Sequence, residues 1–248
     1  MIGIIGGSGL TRLSNLKITR REVIRTPYGE ASGALTFGSL DGHEVVFLAR
    51  HGYGHTIPPH SVNYRANIWA MHAQGITGLV SVASVGGIRS DFEPGALGVP
   101  DQIIDYTYGR MHSFFDSPEQ AVTHIDFTQP YCRDLRQAIL QAAGECNLPI
   151  IDGGVYAATQ GPRLETAAEI NRMERDGADM VGMTGMPEAA LAREMDLCYA
   201  SIAVVANWAA GRGDSVDVVD LEVIRGVLDE AMEKVRILLA RLVGDHAG

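Results

Sequence analysis

Three apolar runs constrain this chain more than any other feature: MIGIIGG at its start, GLVSVASVGG from Gly78 and CYASIAVVAN from Cys198. Each is apolar continuously rather than alternately, so a strand built from it shows no polar face to water and needs cover on both sides of its sheet. The intervening stretches supply that cover. Helical spacing puts Val62, Ala66, Trp69, Ala70 and Ala73 on one face, with Ser61 as the expected N-cap and Gly75 beyond the end. Further helices are predicted over Leu135 to Cys146, Glu165 to Arg175 and Pro187 to about Met195. A closing one has its stripe at Leu221, Ile224, Leu228, Met232, Val235, Leu239 and Leu242, and stops at Gly244. Strands are expected over Ile103 to Tyr106, Ile150 to Ala158 and Ala178 to Met183, and ALTFGSLDGHEVVFLAR reads as a hairpin about Leu-Asp-Gly. This alternation predicts one α/β domain over residues 1–248, a mostly parallel or mixed sheet with helices around it.

Charge and cysteine usage narrow the function classes. Twenty Lys and Arg against thirty Asp and Glu give a formal charge of −10, so no basic surface invites nucleic acid. No apolar run approaches the ~20 residues of a membrane span, and MIGIIGGSGL lacks a basic leader, so a protein neither exported nor membrane-bound is expected. Cys132, Cys146 and Cys198 are odd in number, far apart and without a CxxC pair. That spacing supports neither a disulfide framework nor a zinc ribbon, and points to a reducing, cytoplasmic setting.

Chemistry concentrates at strand ends. GGSGL closes the first strand with glycines that let backbone N–H groups approach an anion, and Ser8 adds a hydroxyl. Arg12 stands where a dinucleotide fingerprint needs its third glycine, and no GK[ST] follows. In ARHGYGHTIPPH, Arg50 brings a forked donor and His51 a ring donor, a pair suited to phosphate oxygens. The prolines forbid the helix that would gather His51, His55 and His60 as metal ligands, and no acid accompanies them, so no metal is expected. In GMTGMPE, Thr184 sits at a third strand-to-helix junction. Met183 alone reads as core more readily than as site. Glu188 reads equally as a surface charge complementing the helix dipole or as a ribose ligand. Three donor clusters without a lysine nucleophile or a metal signature suggest a site for free phosphate and a neutral co-substrate.

The segments GGSGL, ARHGYGHTIPPHSVNYRANIWA, ATQGPRLET and MTGMPEAALARE, in this order from residue 3 to about residue 235, closely resemble the trimeric purine nucleoside phosphorylase family. The resemblance is strongest to its 5′-methylthioadenosine phosphorylase branch. It implies a mixed sheet curled into a distorted barrel, and phosphorolysis, with orthophosphate as co-substrate and no cofactor or metal. Carried over by position, Ser8, Arg50, His51, Ala83, Ser84 and Thr184 become phosphate ligands, and Met183 touches ribose. Asn207 and Ala209 meet the purine, with Asn207 and His51 the residues closest to the chemistry. Leu164 and Glu165 of GPRLET and Val219 join the substrate site, Leu164 replacing an aromatic ring found in relatives. His124 resembles a residue lent to the 5′ end of the substrate by a neighbouring subunit, which implies a homotrimer.

Members of that family using 6-aminopurines carry acids at the positions of Asn207 and Ala209, and this chain has neither. An Asn amide donates to O6 and accepts from a protonated ring nitrogen, a pairing a 6-amino group leaves unmet at a cost of roughly 1 to 3 kcal/mol. Val218, Val219 and Leu221 suit a thioether better than a hydroxyl. The expected nucleoside is therefore S-methyl-5′-thioinosine, with 5′-methylthioadenosine or general 6-oxopurine nucleosides as alternatives. A hydrolase leaves Arg50, His51 and Thr184 without a ligand, a nicotinamide oxidoreductase lacks its third glycine, and a purine sensor has no use for Arg50.

Overall fold

The computed structural model describes residues 1–119 and 121–245; Gln120, in the connection between Asp105 and Arg133, lies outside them. The chain opens with β1 (Ile2–Gly6), every residue of which is buried. An exposed strand, β2 (Lys17–Glu22), follows, and then the hairpin β3 (Leu35–Leu40) and β4 (His43–Ala49). The hairpin turns on Asp41 and Gly42, both at positive φ (47° and 92°), the backbone a two-residue turn demands. After β4 the chain runs irregularly to a 3-10 turn at Pro59–Ser61 and helix α1 (Tyr64–His72). Next come β5 (Gly78–Gly87), β6 (Leu97–Val99) and β7 (Gln102–Asp105), the long connection, and α2 (Arg133–Glu145). The last third contains β8 (Ile151–Asp152), β9 (Val155–Ala158), α3 (Ala167–Arg175), β10 (Met180–Gly182), α4 (Gly185–Glu194), β11 (Tyr199–Trp208) and α5 (Leu221–Asp245).

The sheet is mixed and branches at β5. β11 runs parallel to β5 from Leu79 to Gly87 and fills one whole edge. A strand has only two edges, so β1, parallel over Gly78–Val82, and β10, antiparallel at Gly86 and Gly87, share the other. They cannot meet, and the edge of β5 from Ala83 to Val85 is left between them. This fork positions the site. Opposite it, β11 carries a register shift between Val205 and Asn207, which re-aims the strand end.

Several sequence expectations are corrected. The N-cap of α1 is Asn63, whose side chain accepts from the Ala66 N–H at 3.1 Å; Ser61 belongs to the preceding 3-10 turn, and Ala73 is exposed. The expected strand from Ile150 to Ala158 is two strands, because Gly153 and Gly154 take φ of 88° and 119° between them. The sequence pattern predicts neither β2 nor β6: β2 has no buried residue to give it a period, and β6 is only three residues long. α3 starts later than predicted, at a capping box of Thr166 and Glu169.

The cysteines are the largest correction. Cys132 and Cys198 form a disulfide across 66 residues of sequence, and Cys146 is free. The start of α2 docks on the start of β11, where the Cys132 N–H donates to the Tyr199 carbonyl at 2.7 Å and the two Cα atoms come within 5.1 Å. Sequence separation carries no information about that contact, and the argument from cysteine spacing to a reducing setting falls with it.

Candidate active site

A cavity of about 640 Å³ opens at the fork, lined by the ends of β1, β4, β10 and β11, the middle of β5 and the first turns of α5. Its lining includes the donor set Ser8, Arg50, His51, Ala83, Ser84 and Thr184 together with Leu164, Glu165, Met183, Asn207, Ala209 and Val219. His124 is not among them: it lies exposed on the long connection, away from this cavity. His60 and Val218 also stay outside, whereas His55 lines it.

The donor side is built around glycines. The Gly7 N–H is spent on the Val82 carbonyl at 3.0 Å, which closes the neck of the fork. A Cβ on Gly7 would sit 2.8 Å from both Nη1 of Arg50 and the Val82 carbonyl, so only glycine lets the guanidinium approach so closely. The Ser8 hydroxyl bonds His55 Nε2 at 2.9 Å. This link ties the GGSGL turn to the loop after β4, and sequence spacing gave no sign of it.

Arg50 differs from the freely presented fork expected of it. It is fully buried, and Nε and Nη2 bind Glu188 at 2.7 and 2.9 Å. Nη2 also reaches the Ser81 hydroxyl at 2.6 Å, and Nη1 the Val82 carbonyl at 3.1 Å. Four of its five hydrogens are thus committed, and the second Nη1 hydrogen remains for the cavity that Arg50 lines. Glu188 is accordingly neither a surface charge nor a ribose ligand. Fully buried, it takes a further bond from the Tyr199 hydroxyl at 2.9 Å.

His51 is buried, and its Nδ1 faces the Ile57 carbonyl at 2.8 Å. Burial, aided by the neighbouring Arg50 charge, pushes its pKa down to about 4. The neutral ring must donate Nδ1–H to that carbonyl, which leaves Nε2 as an acceptor rather than the ring donor the sequence suggests. Thr184 precedes α4, its N–H 3.4 Å from the buried Tyr156 hydroxyl. Met186 is extended (φ −118°, ψ 140°), so regular helix starts at Pro187, as the sequence predicts.

Around the rest of the cavity, Asn207 uses one amide hydrogen on the Trp208 carbonyl at 2.6 Å, leaving the other and its Oδ1. Ala209 is buried, and no side chain on β11 past Asn207 brings a charge. Glu165 accepts from the Thr159 hydroxyl at 2.6 Å, and burial raises its pKa. The apolar stripe of α5 overshoots the core. Leu228 to Leu242 are buried, while Leu221 is 62% exposed, yet Leu221, Ile224 and Leu228 all line the cavity. No group of three or more metal-ligating side chains occurs among the described residues.

An anion cradle at the ends of parallel strands, joined to an apolar chamber holding one amide and one carboxyl, defines an enzyme for a small phosphate-dependent reaction. The chain belongs to the phosphorylase superfamily, whose family model matches residues 1–244. It is 51% identical over 226 residues to a probable S-methyl-5′-thioinosine phosphorylase of Xanthomonas campestris, covering 91% of this chain and 90% of that relative. It is 43% identical over 246 residues to the 6-oxopurine nucleoside phosphorylase of Pyrococcus furiosus, covering 97% and 91%. Among solved structures, methylthioadenosine phosphorylase from Schistosoma mansoni in complex with adenine superposes with a TM-score of 0.94 at 32% identity, covering 99% of this chain and 91% of that one.

Proposed function

We propose that the chain catalyses phosphorolysis of S-methyl-5′-thioinosine, giving hypoxanthine and S-methyl-5-thio-ribose 1-phosphate. A phosphate oxygen bonds to the anomeric carbon as the bond from that carbon to the purine nitrogen breaks; the electron pair leaves with the base, which takes up the proton that hydrogen phosphate gives up. Ser8, Arg50, Thr184 and the β5 edge at Ala83 and Ser84 hold the phosphate, with His51 Nε2 accepting from the O–H of hydrogen phosphate and Met183 against the ribose. Positive charge growing on the sugar is stabilised by the phosphate anion, and negative charge on the purine by Asn207. Holding phosphate and sugar in line converts a bimolecular encounter into a positioned one, worth on the order of 7 kcal/mol in favourable cases. Orthophosphate is the only co-substrate, and neither cofactor nor metal takes part.

The observation that carries the base assignment is that the cavity is lined by one amide, Asn207, and one carboxyl, Glu165, and is left bare at Ala209. A 6-oxopurine offers O6 to the free Asn207 amide hydrogen and an N1–H to a carboxylate. Adenine offers an amine and a bare nitrogen at the same places, so both protein groups stay unpaired. The 5′ assignment is supported by Val219, Leu221, Ile224 and Leu228, which give a thioether an apolar wall. The base reading agrees with the activities of both relatives named above, and the 5′ reading with that of the Xanthomonas campestris one.

Two further parts of this reading concern assembly and place. The connection that carries His124 exposes Tyr108, Met111 and Val122 at 72%, 55% and 81%. An apolar, solvent-facing loop of this kind suits a subunit interface, and we assign it to a homotrimer in which His124 reaches the 5′ end of a neighbour's substrate. No helix among the described residues is long and apolar enough to cross a membrane. We set the reaction in the cytoplasm, a placement to which the Cys132–Cys198 bond lends no support.

The test is a panel of methylthioinosine, inosine, methylthioadenosine and adenosine, each with and without phosphate. Methylthioinosine should lead and every turnover should need phosphate. Equal cleavage of methylthioadenosine would defeat the base assignment, and phosphate-independent cleavage the reaction class.

A further inference from the structure

We infer that Arg110 is a positioning residue for this reaction: one guanidinium clamps together two neighbouring backbone segments that carry lining residues of the cavity. The inference rests on the phosphorolytic reading above. Arg110 stands at the root of the long connection and is only 8% exposed. Its Nη1 donates to the carbonyls of Met183 at 2.7 Å and Met186 at 2.6 Å, and lies 3.2 Å from the Tyr64 hydroxyl. Its Nη2 donates to the carbonyls of Thr159 at 3.2 Å and Gln160 at 2.8 Å, and Nε to the Gln160 side-chain oxygen at 3.2 Å.

The choice of partners distinguishes a clamp from an ordinary loop anchor. Arg50 is neutralised by Glu188, but the partners of Arg110 are all uncharged and most are main-chain carbonyls. Burying a cation among neutral dipoles is costly unless its hydrogens are met, and here every nitrogen of the fork is engaged. Tying down one loop needs one or two such bonds. These reach two separate segments at once, and each leads directly into site residues.

The carbonyls of Met183 and Met186 bracket Thr184 and Gly185. A peptide unit is planar, so pinning the Met183 carbonyl fixes the plane whose opposite edge carries the Thr184 N–H. On the other side, Thr159 and Gln160 lead into Gly161, Pro162, Leu164 and Glu165. The two segments already touch: a Cβ on Gly161, which has φ of 61°, would come 2.5 Å from the Met183 sulfur. Arg110 thus sets the spacing between the wall assigned to phosphate and ribose and the wall assigned to the base. Lysine cannot replace it, because an ammonium is a point donor without the planar fork that spans both segments.

The test compares wild type with Arg110→Lys and Arg110→Ala. A misplacement of about an ångström can cost on the order of a hundredfold in rate, so Arg110→Lys should lose roughly that in kcat/KM while remaining folded by near-ultraviolet circular dichroism. Amide hydrogen exchange should quicken together at residues 159–165 and 183–187. Free guanidinium should restore turnover to Arg110→Ala and leave wild type unchanged. Unaltered kcat/KM in a folded Arg110→Lys, or faster exchange in only one of the two segments, would overturn the clamp. So would a folded Arg110→Ala that guanidinium does not rescue. If wild type itself shows no phosphorolysis, the reading of the reaction fails, and the exchange pattern alone still decides whether Arg110 joins the two walls.

Discussion

Glu188 holds the Arg50 guanidinium in a two-point grip, Nε to Oε2 at 2.7 Å and Nη2 to Oε1 at 2.9 Å, with both side chains sealed from water. Burial alone would lower the proton affinity of Arg50, and the Glu188 carboxylate more than reverses it, so the guanidinium stays charged. Sequestering two charges is expensive, and removing one leaves the other uncompensated, which typically costs about 3 to 5 kcal/mol. Glu188→Gln should therefore lower the urea unfolding free energy by about that amount. It should also raise the KM for phosphate, because the one guanidinium hydrogen left to the cavity is aimed by this grip. A variant as stable as wild type would show that the pair adds nothing to the fold.

His51 governs part of the acid stability. Its pKa in the folded chain is about 4 against an ordinary 6.5, because burial and then Arg50 disfavour the imidazolium. Above 6.5 neither state carries the proton and the group is silent. Between 6.5 and about 4 the unfolded chain binds a proton that the folded chain refuses, so stability declines as pH falls through that window and levels off below it. The full decline is on the order of 3 kcal/mol at 1.36 kcal/mol per pH unit. Urea midpoints at pH 7 and pH 4.5 should differ more for wild type than for His51→Gln. Equal differences would mean that His51 titrates normally in the fold.

Much of the site was legible because strand ends announce themselves: a continuous apolar run, then glycines, then a hydroxyl, an arginine or an amide. GGSGL, ARHG and MTG all arrive at one cavity, joined there by Asn207 and Ala209, which the family resemblance supplies. What the sequence withheld is which partner each group prefers. The apolar neighbourhood of Glu188 in MPEAALA gives no hint that its carboxyl turns to Arg50, 138 residues away. The Ser8 contact with His55 spans 47 residues, and the disulfide 66. Such pairings are set by how the elements pack, which a local pattern does not encode. β2 escaped for the opposite reason: with all six residues exposed, no burial shapes its pattern.

The Cys132–Cys198 bond joins the start of α2 to the start of β11, the strand that ends in Asn207. Closing a loop across 66 residues removes conformational freedom from the unfolded chain, worth about 4 kcal/mol in the chain-entropy model. Cys132→Ser with Cys198→Ser should melt well below oxidised wild type, and a reductant should bring wild type down to the level of the variant. Turnover at temperatures where both are folded should be little changed, since neither cysteine lines the cavity. A variant that melts with oxidised wild type would remove the bond from the stability of the enzyme.

Base choice gives the sharpest test, because it depends on two positions at one strand end. Ala209 lies two residues after Asn207, and both line the cavity. Asn207→Asp replaces an amide that serves O6 with a carboxyl that can accept from a 6-amine, and Ala209→Asp adds a second acid to a wall that now has none. Each mismatch is worth roughly 1 to 3 kcal/mol, so the double variant should move the ratio of kcat/KM from methylthioinosine toward methylthioadenosine by tenfold to over a hundredfold. Glu165 stays in place and still prefers an N1–H, so the reversal should be incomplete until Glu165→Ser is added. That triple variant separates the two contributions: a further shift assigns the N1 edge to Glu165, and no shift leaves the choice to β11 alone.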